Sequence, residues 1–144
     1  MNSCSLGPRS AQTRVLIVDD HYIIREGLTE LLGQNQGFVV EAATGSAEEA
    51  LEAAQKTPFD LAIVDISLGR MDGIELTQRL KAEHHELIVL IFSMHDEQVY
   101  VDRAMRAGAS GYVTKQEAGD TLLDAIDAVL RGKQHFSSVR RLES

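Results

Sequence analysis

Cysteine is nearly absent from this 144-residue chain: Cys4 stands alone, so neither an internal disulfide nor a cysteine-built metal cage can form. Tryptophan is missing, proline occurs twice and aromatic residues make up 5%, and no repeats or low-complexity tracts appear. Positive charge is also short. Lys and Arg total 14 against 22 Asp and Glu, a formal net charge of −8. A chain this acidic is a poor duplex-DNA binder by itself, because neutralising phosphates takes a basic stripe. No apolar run approaches the ~20 residues that cross a bilayer, and residues 1–13 lack the apolar stretch of a secretory signal. What remains is ordinary globular material, 44% hydrophobic and 25% charged, enough for one domain and short for two. The expectation is a cytoplasmic protein with no membrane partner.

Residues 1–13 show little periodicity and read as a disordered leader or cloning remnant. Residues 135–144 are polar, include Arg140 and Arg141, and read as the start of a linker toward an absent C-terminal domain. Between them, residues 14–134 alternate clearly. Apolar, β-branched runs at 15–18, 38–40, 61–64, 87–92 and 112–113 read as strands, three of them continuous enough to be covered on both faces. Helical stripes fill the gaps: Ile23, Ile24, Leu28, Leu31 and Leu32 ending at Gly33; an Ala-rich segment opened by Ser46 and Glu49 at capping-box spacing; Ile74, Leu76 and Leu80; Val101, Ala104 and Met105 ending at Gly108; and Leu122, Leu123, Ile126, Val129 and Leu130 ending at Gly132. Strand–helix alternation implies a parallel sheet with helices on both faces. The expected fold class is α/β: a flavodoxin-like, doubly wound (βα)5 sandwich with five strands in the order 2-1-3-4-5, whose ligands sit at the carboxyl ends of the strands beside the switch point.

Those strand ends carry chemistry. Strand 1 runs into Asp19 and Asp20, strand 3 into Asp65, strand 4 into Ser93, and strand 5 into Thr114 and Lys115. Two unit charges ~4 Å apart repel by about 4 kcal/mol at an effective dielectric near 20, so bare carboxylates here need protonation or a cation. Few carboxylates at a water-accessible site suit Mg²⁺. A carboxylate beside Mg²⁺ and a lysine can attack phosphorus while the cations neutralise the transferring oxygens. Singly, each residue also has an ordinary reading: Asp20 as a helix cap, Asp65 and Ser93 as turn formers, Lys115 as a solvated charge. Jointly, at the strand ends around a switch point, they favour a site.

The segments Val15-Leu16-Ile17-Val18-Asp19-Asp20-His21, Asp65-Ile66-Ser67-Leu68-Gly69-Arg70-Met71-Asp72-Gly73, Ser93-Met94-His95 and Gly108-Ala109-Ser110-Gly111-Tyr112-Val113-Thr114-Lys115 resemble the response-regulator receiver (CheY-like) domain of two-component signalling. Arg25-Glu26-Gly27-Leu28 and the Gly-Ala-Ser-Gly-Tyr stretch are most similar to the NarL/FixJ (LuxR-type) subfamily. The resemblance implies a phosphoprotein of a transcription-regulating phosphorelay. Asp65 would accept a phosphoryl group from a sensor histidine kinase. Asp20, Asp65 and the Ser67 backbone carbonyl would bind Mg²⁺, with Asp19 holding a metal-bound water. Lys115 would pair with the phosphoryl group, or with Asp65 in its absence. Ser93 would swing toward the phosphoryl oxygen and Tyr112 follow it inward, changing the surface of helix 4, strand 5 and helix 5. It further implies a homodimer on phosphorylation, and DNA binding only through an absent helix-turn-helix output domain. Such a receiver assists its own phosphorylation and autodephosphorylation without being a dedicated enzyme.

The sequence also departs from the receiver pattern. Gly69 stands where most receivers have proline, which predicts a more mobile loop. Met94 replaces a small residue and predicts slower dephosphorylation by restricting access to the site. The histidines His21, His84, His85, His95 and His135 lack metal-ligand spacing; His84-His85 reads as solvated surface, and His21 and His95 as neighbours of the site. The alternatives are a Mg²⁺-dependent phosphatase with an aspartyl-phosphate intermediate, or a stand-alone receiver acting through protein contacts. Against the phosphatase, the acids after strand 1 are adjacent rather than spaced Asp-x-Asp.

Overall fold

The structure, a computed structural model, describes residues 12–117 and 119–136. Strands β1 (Thr13–Val18), β2 (Phe38–Thr44), β3 (Leu61–Val64), β4 (Ile88–Ser93) and β5 (Gly111–Thr114) alternate with helices α1 (Tyr22–Gly33), α2 (Ala47–Lys56), α3 (Gly73–Glu83), α4 (Gln98–Ala107) and α5 (Gly119–Leu130). All pairings are parallel and the sheet order is β2-β1-β3-β4-β5. This is the expected doubly wound 2-1-3-4-5 arrangement, which sets the carboxyl ends of β1 and β3 side by side.

The sheet separates two apolar layers. Leu16 and Val18 point into a core completed by α2, α3 and α4, while Val15 and Ile17 point into one completed by α1 and α5. Adjacent strand residues face opposite ways, so a strand covered on both faces must be apolar throughout. Val15, Leu16, Ile17 and Val18 are accordingly all fully buried. The edge strand β2 is only half-buried and carries the exposed Glu41.

Helix ends follow local chemistry. The Ser46 side chain accepts from the Glu49 backbone N–H at 3.1 Å, while the Glu49 carboxylate accepts from the Gly45 N–H at 3.2 Å, a capping box displaced by one residue. Gly108 and Gly132 close α4 and α5 with φ of 108° and 86°, backbone that favours glycine. Gly33 does not act this way: it is the last residue of α1, and the C-cap is Gln34 in right-handed conformation. Two stripe residues are also outside the core, Ile23 at 76% and Met105 at 42% exposed.

The folded unit reaches slightly past both expected edges. Thr13 already belongs to β1 and pairs with Phe38. At the other end His135 forms a parallel bridge with Gly111, and Phe136 packs against the α2/α3/α4 core. The Tyr112 N–H donates to the His135 carbonyl at 2.8 Å and the His135 N–H to Ser110 at 3.0 Å. Sequence hides this because the short bridge needs only backbone groups. The remainder of the expected leader (residues 1–11) and linker (137–144) lies outside the described residues.

Candidate functional site

Backbone hydrogen bonds at the switch point set the acids in place. The Asp19 N–H donates to Thr44 at 3.0 Å, and the Asp65 N–H to Val18 at 2.9 Å. The Lys115 N–H is bonded to the Ser93 carbonyl at 2.8 Å, which brings the lysine back toward β4. Lys115 Nζ then lies 2.7 Å from Asp19 Oδ2 and 3.2 Å from Asp65 Oδ2, with its side chain 5% exposed and theirs 2% and 3%. One ammonium thus serves two buried carboxylates. The expected Lys115–Asp65 pair is present, but its shorter contact is with Asp19. Burial pushes the Asp65 carboxyl above the usual carboxylate range; Lys115 pulls the other way, Asp19 adds to the rise, and hydrogen bonds from Lys115 and the Ser67 backbone oppose it.

Asp20 differs from its neighbour: its side chain is 45% exposed and opens to solvent. It does not cap α1. The N-cap is His21, and the group that accepts the His21 N–H, at 2.9 Å, is Asp19 Oδ1. The His21 ring lies across both acids, with Nδ1 2.9 Å from Asp19 Oδ1 and 3.1 Å from Asp20 Oδ1. Arg25 Nη1 donates to the Asp19 carbonyl at 2.7 Å and tethers α1 to the end of β1.

Ligand atoms of Asp19, Asp20, His21 and Asp65 all lie within 4.8 Å of one another. An octahedral Mg²⁺ with bonds of about 2.1 Å separates its ligands by about 3–4 Å, so the cluster would draw in by less than an ångström around such an ion. The donor set fits as well: three carboxylates face a single lysine, and the excess negative charge calls for a further cation.

Ser93 and Tyr112 meet through the loop that follows β4. Ser93, fully buried, accepts the His95 N–H on Oγ at 3.1 Å, and the Tyr112 hydroxyl donates to the His95 carbonyl at 2.7 Å. Burial raises the Tyr112 phenol well above its ordinary value, against a lowering hydrogen bond to Ser93. The ring already lies fully inside. His95 Nε2 is 3.1 Å from Ser67 Oγ, and its ring is 4.4 Å from that of Tyr100 at the start of α4. His95 therefore joins the loop after β3 to the loop after β4. In the sequence this role is signalled only by its place two residues after Ser93.

The loop after β3 is shaped by two glycines. Gly69 has φ of 91°, which proline cannot adopt, so glycine here encodes a different turn from a proline-bearing one. A Cβ on Gly73 would come 2.0 Å from the Asp65 carbonyl oxygen, so the start of α3 can abut the acid's backbone only as glycine. Met94 is 56% exposed. Of the histidine pair, His85 is exposed, but His84 is only half-buried surface: its Nε2 is shielded from solvent and has no hydrogen-bond partner, which corrects the solvated reading.

Residues 15–127 match the family described as the response regulator receiver domain. Among curated relatives, the transcriptional regulatory protein DegU of Brevibacillus brevis is 34% identical over 119 residues, covering 83% of this chain and 50% of the relative. The transcriptional activator protein ExaE of Pseudomonas putida is 40% identical over 122 residues, 85% of this chain and 57% of the relative. The crystal structure of a two-component response regulator of the LuxR family from Aurantimonas sp. SI85-9A1 superposes with a TM-score of 0.84 at 36% identity, covering 88% of this chain and 91% of that one. The chain thus spans 50–57% of the length of these two curated relatives.

Proposed function

We propose, for a chain that belongs to the response regulator receiver family, that Asp65 accepts a phosphoryl group from a phosphohistidine of a sensor histidine kinase. The carrying observation is the buried Asp65 carboxylate, 3.2 Å from Lys115 Nζ at a strand end, with Asp19 and Asp20 beside it. An Asp65 oxygen attacks phosphorus, the phosphorus–nitrogen bond of the donor breaks, and the imidazole, already protonated on its other ring nitrogen, leaves neutral with the bonding electron pair. Asp20, Asp65 and the Ser67 carbonyl would hold Mg²⁺, with Asp19 orienting a bound water; the ion supplies neutralisation of the phosphoryl oxygens when bound. Lys115 contributes the second positive charge. Ser93 gives up the His95 N–H and donates its hydroxyl to a phosphoryl oxygen.

That exchange loosens the His95 loop, to which Tyr112 is also bonded. The surface of α4, β5 and α5 is the two-state element so biased. The acyl phosphate is later hydrolysed to inorganic phosphate, which resets the switch. The output belongs to the rest of a longer protein: a helix-turn-helix domain joined through a linker that starts only after His135 and Phe136, which are part of the folded unit, acting on DNA in the cytoplasm as a phosphorylation-dependent dimer. Kinship with named transcriptional regulators supports this. Among the described residues, no helix is long and apolar enough to cross a membrane.

Incubation with acetyl phosphate and Mg²⁺ followed by intact-mass measurement tests the reading. One added, hydroxylamine-labile phosphoryl group is expected, absent in Asp65→Ala and in metal-free buffer. A stable phosphoserine, or no addition, would contradict it.

A further inference from the structure

His21 enters the same cluster from a different chemistry. Its Nδ1 is within 3.1 Å of an oxygen of each of Asp19 and Asp20. A ring nitrogen of His21 is also within 4.8 Å of a ligand oxygen of Asp65. As the N-cap of α1 it makes no side-chain capping bond, so the ring serves the acids rather than the helix. The side chain is 60% exposed, which leaves its outer edge open to water. Without an ion the Nδ1–H donates to these carboxylates; an ion seated among them takes the place of that proton, and the ring then keeps its proton on Nε2 and turns the Nδ1 lone pair to the ion.

We propose that His21 supplies a nitrogen ligand to the divalent-cation site, making it a mixed nitrogen–oxygen centre. The proposal rests on the reading of the acidic cluster as a cation site and adds a donor to it. Oxygen-only sets suit Mg²⁺, whereas imidazole favours the later first-row ions. The class of ligand is therefore a later first-row divalent cation such as Ni²⁺ or Zn²⁺, accepted beside Mg²⁺ with a preference that His21 steepens. Ser67 and Lys115 take no part in this selectivity, since neither changes donor type between ions.

Mn²⁺ reports on the cluster through its paramagnetism. The 144-residue chain is loaded with Mn²⁺ and read by pulsed electron paramagnetic resonance. Modulation from a directly bound ¹⁴N is expected in the wild type and absent in His21→Ala and His21→Asn, both with Mn²⁺ still bound. The asparagine variant keeps a favoured N-cap residue, so α1 stays intact. Displacement of the Mn²⁺ signal by competing ions gives the second readout. The ratio of Ni²⁺ to Mg²⁺ affinity should fall roughly tenfold or more in both variants, the scale on which site partners act. Unchanged modulation and an unchanged ratio would overturn the role of His21 and leave the cation site standing. Failure of Mn²⁺ to bind even the wild type would overturn both.

Discussion

The two ends of the sheet solve the same problem in opposite ways. At the amino ends of the strands, polar groups satisfy one another in ordinary turns. Arg14 and Asp60 exchange backbone and side-chain hydrogen bonds, and Lys81 Nζ donates to the His85 and Leu87 carbonyls at 2.7 and 2.8 Å. At the carboxyl ends, Asp19, Asp65, Ser93 and Thr114 are all buried, and two of them share one lysine. The first arrangement serves stability. The second holds charge where the fold gains least from it, which is the mark of a group kept for chemistry.

Removing the shared cation separates the two ends most strongly. Lys115→Met leaves two buried carboxylates facing each other and should cost about 3–5 kcal/mol in denaturant unfolding without metal. A loss under 1 kcal/mol would mean the acids are better solvated than their burial implies. Relief of the excess charge should act in reverse. Asp65→Asn keeps the Lys115–Asp19 pair and should stabilise the metal-free protein at pH 7 by about 1–3 kcal/mol.

The pH dependence of that gain has a definite sign. The folded Asp65 binds its proton more tightly than the unfolded one, because its pKa is raised. Ionising it therefore penalises the fold above the folded value. As pH falls through that value the penalty is relieved, and the advantage of Asp65→Asn should shrink to nothing below the ordinary 3.8. A pH-independent gain would contradict the assignment. At the opposite end, Lys81→Met should cost only about 1 kcal/mol and leave phosphorylation by acetyl phosphate unchanged. An altered phosphorylation rate would mean the two ends are coupled.

Much of this was legible in the residues. The order of strands follows from continuous apolar runs such as Val15–Val18 alternating with helical stripes, and the switch-point rule then places Asp19, Asp20 and Asp65 together. Strand ends announce which side chains meet. They do not announce how charge is shared once they meet: that Lys115 approaches Asp19 more closely than Asp65 depends on side-chain paths across three strands. The links from His95 to Ser67 and from His135 to Gly111 were equally hidden, because they join loops distant in sequence or use only backbone atoms. Ile23 and Met105 fit their helical stripes yet face solvent, since periodicity marks a face without saying how wide the core beneath it is.

The central claim is that the carboxyl end of the sheet carries uncompensated negative charge poised for a divalent cation at Asp65, the proposed phosphoacceptor. Thermal unfolding at pH 7 with and without saturating Mg²⁺ tests it most directly. A ligand at about 100 times its Kd stabilises by about 2.7 kcal/mol, so the wild type should melt several degrees higher with Mg²⁺, and Asp65→Asn should lose most of that rise. A wild-type melting temperature indifferent to Mg²⁺, or an equal rise in Asp65→Asn, would contradict it.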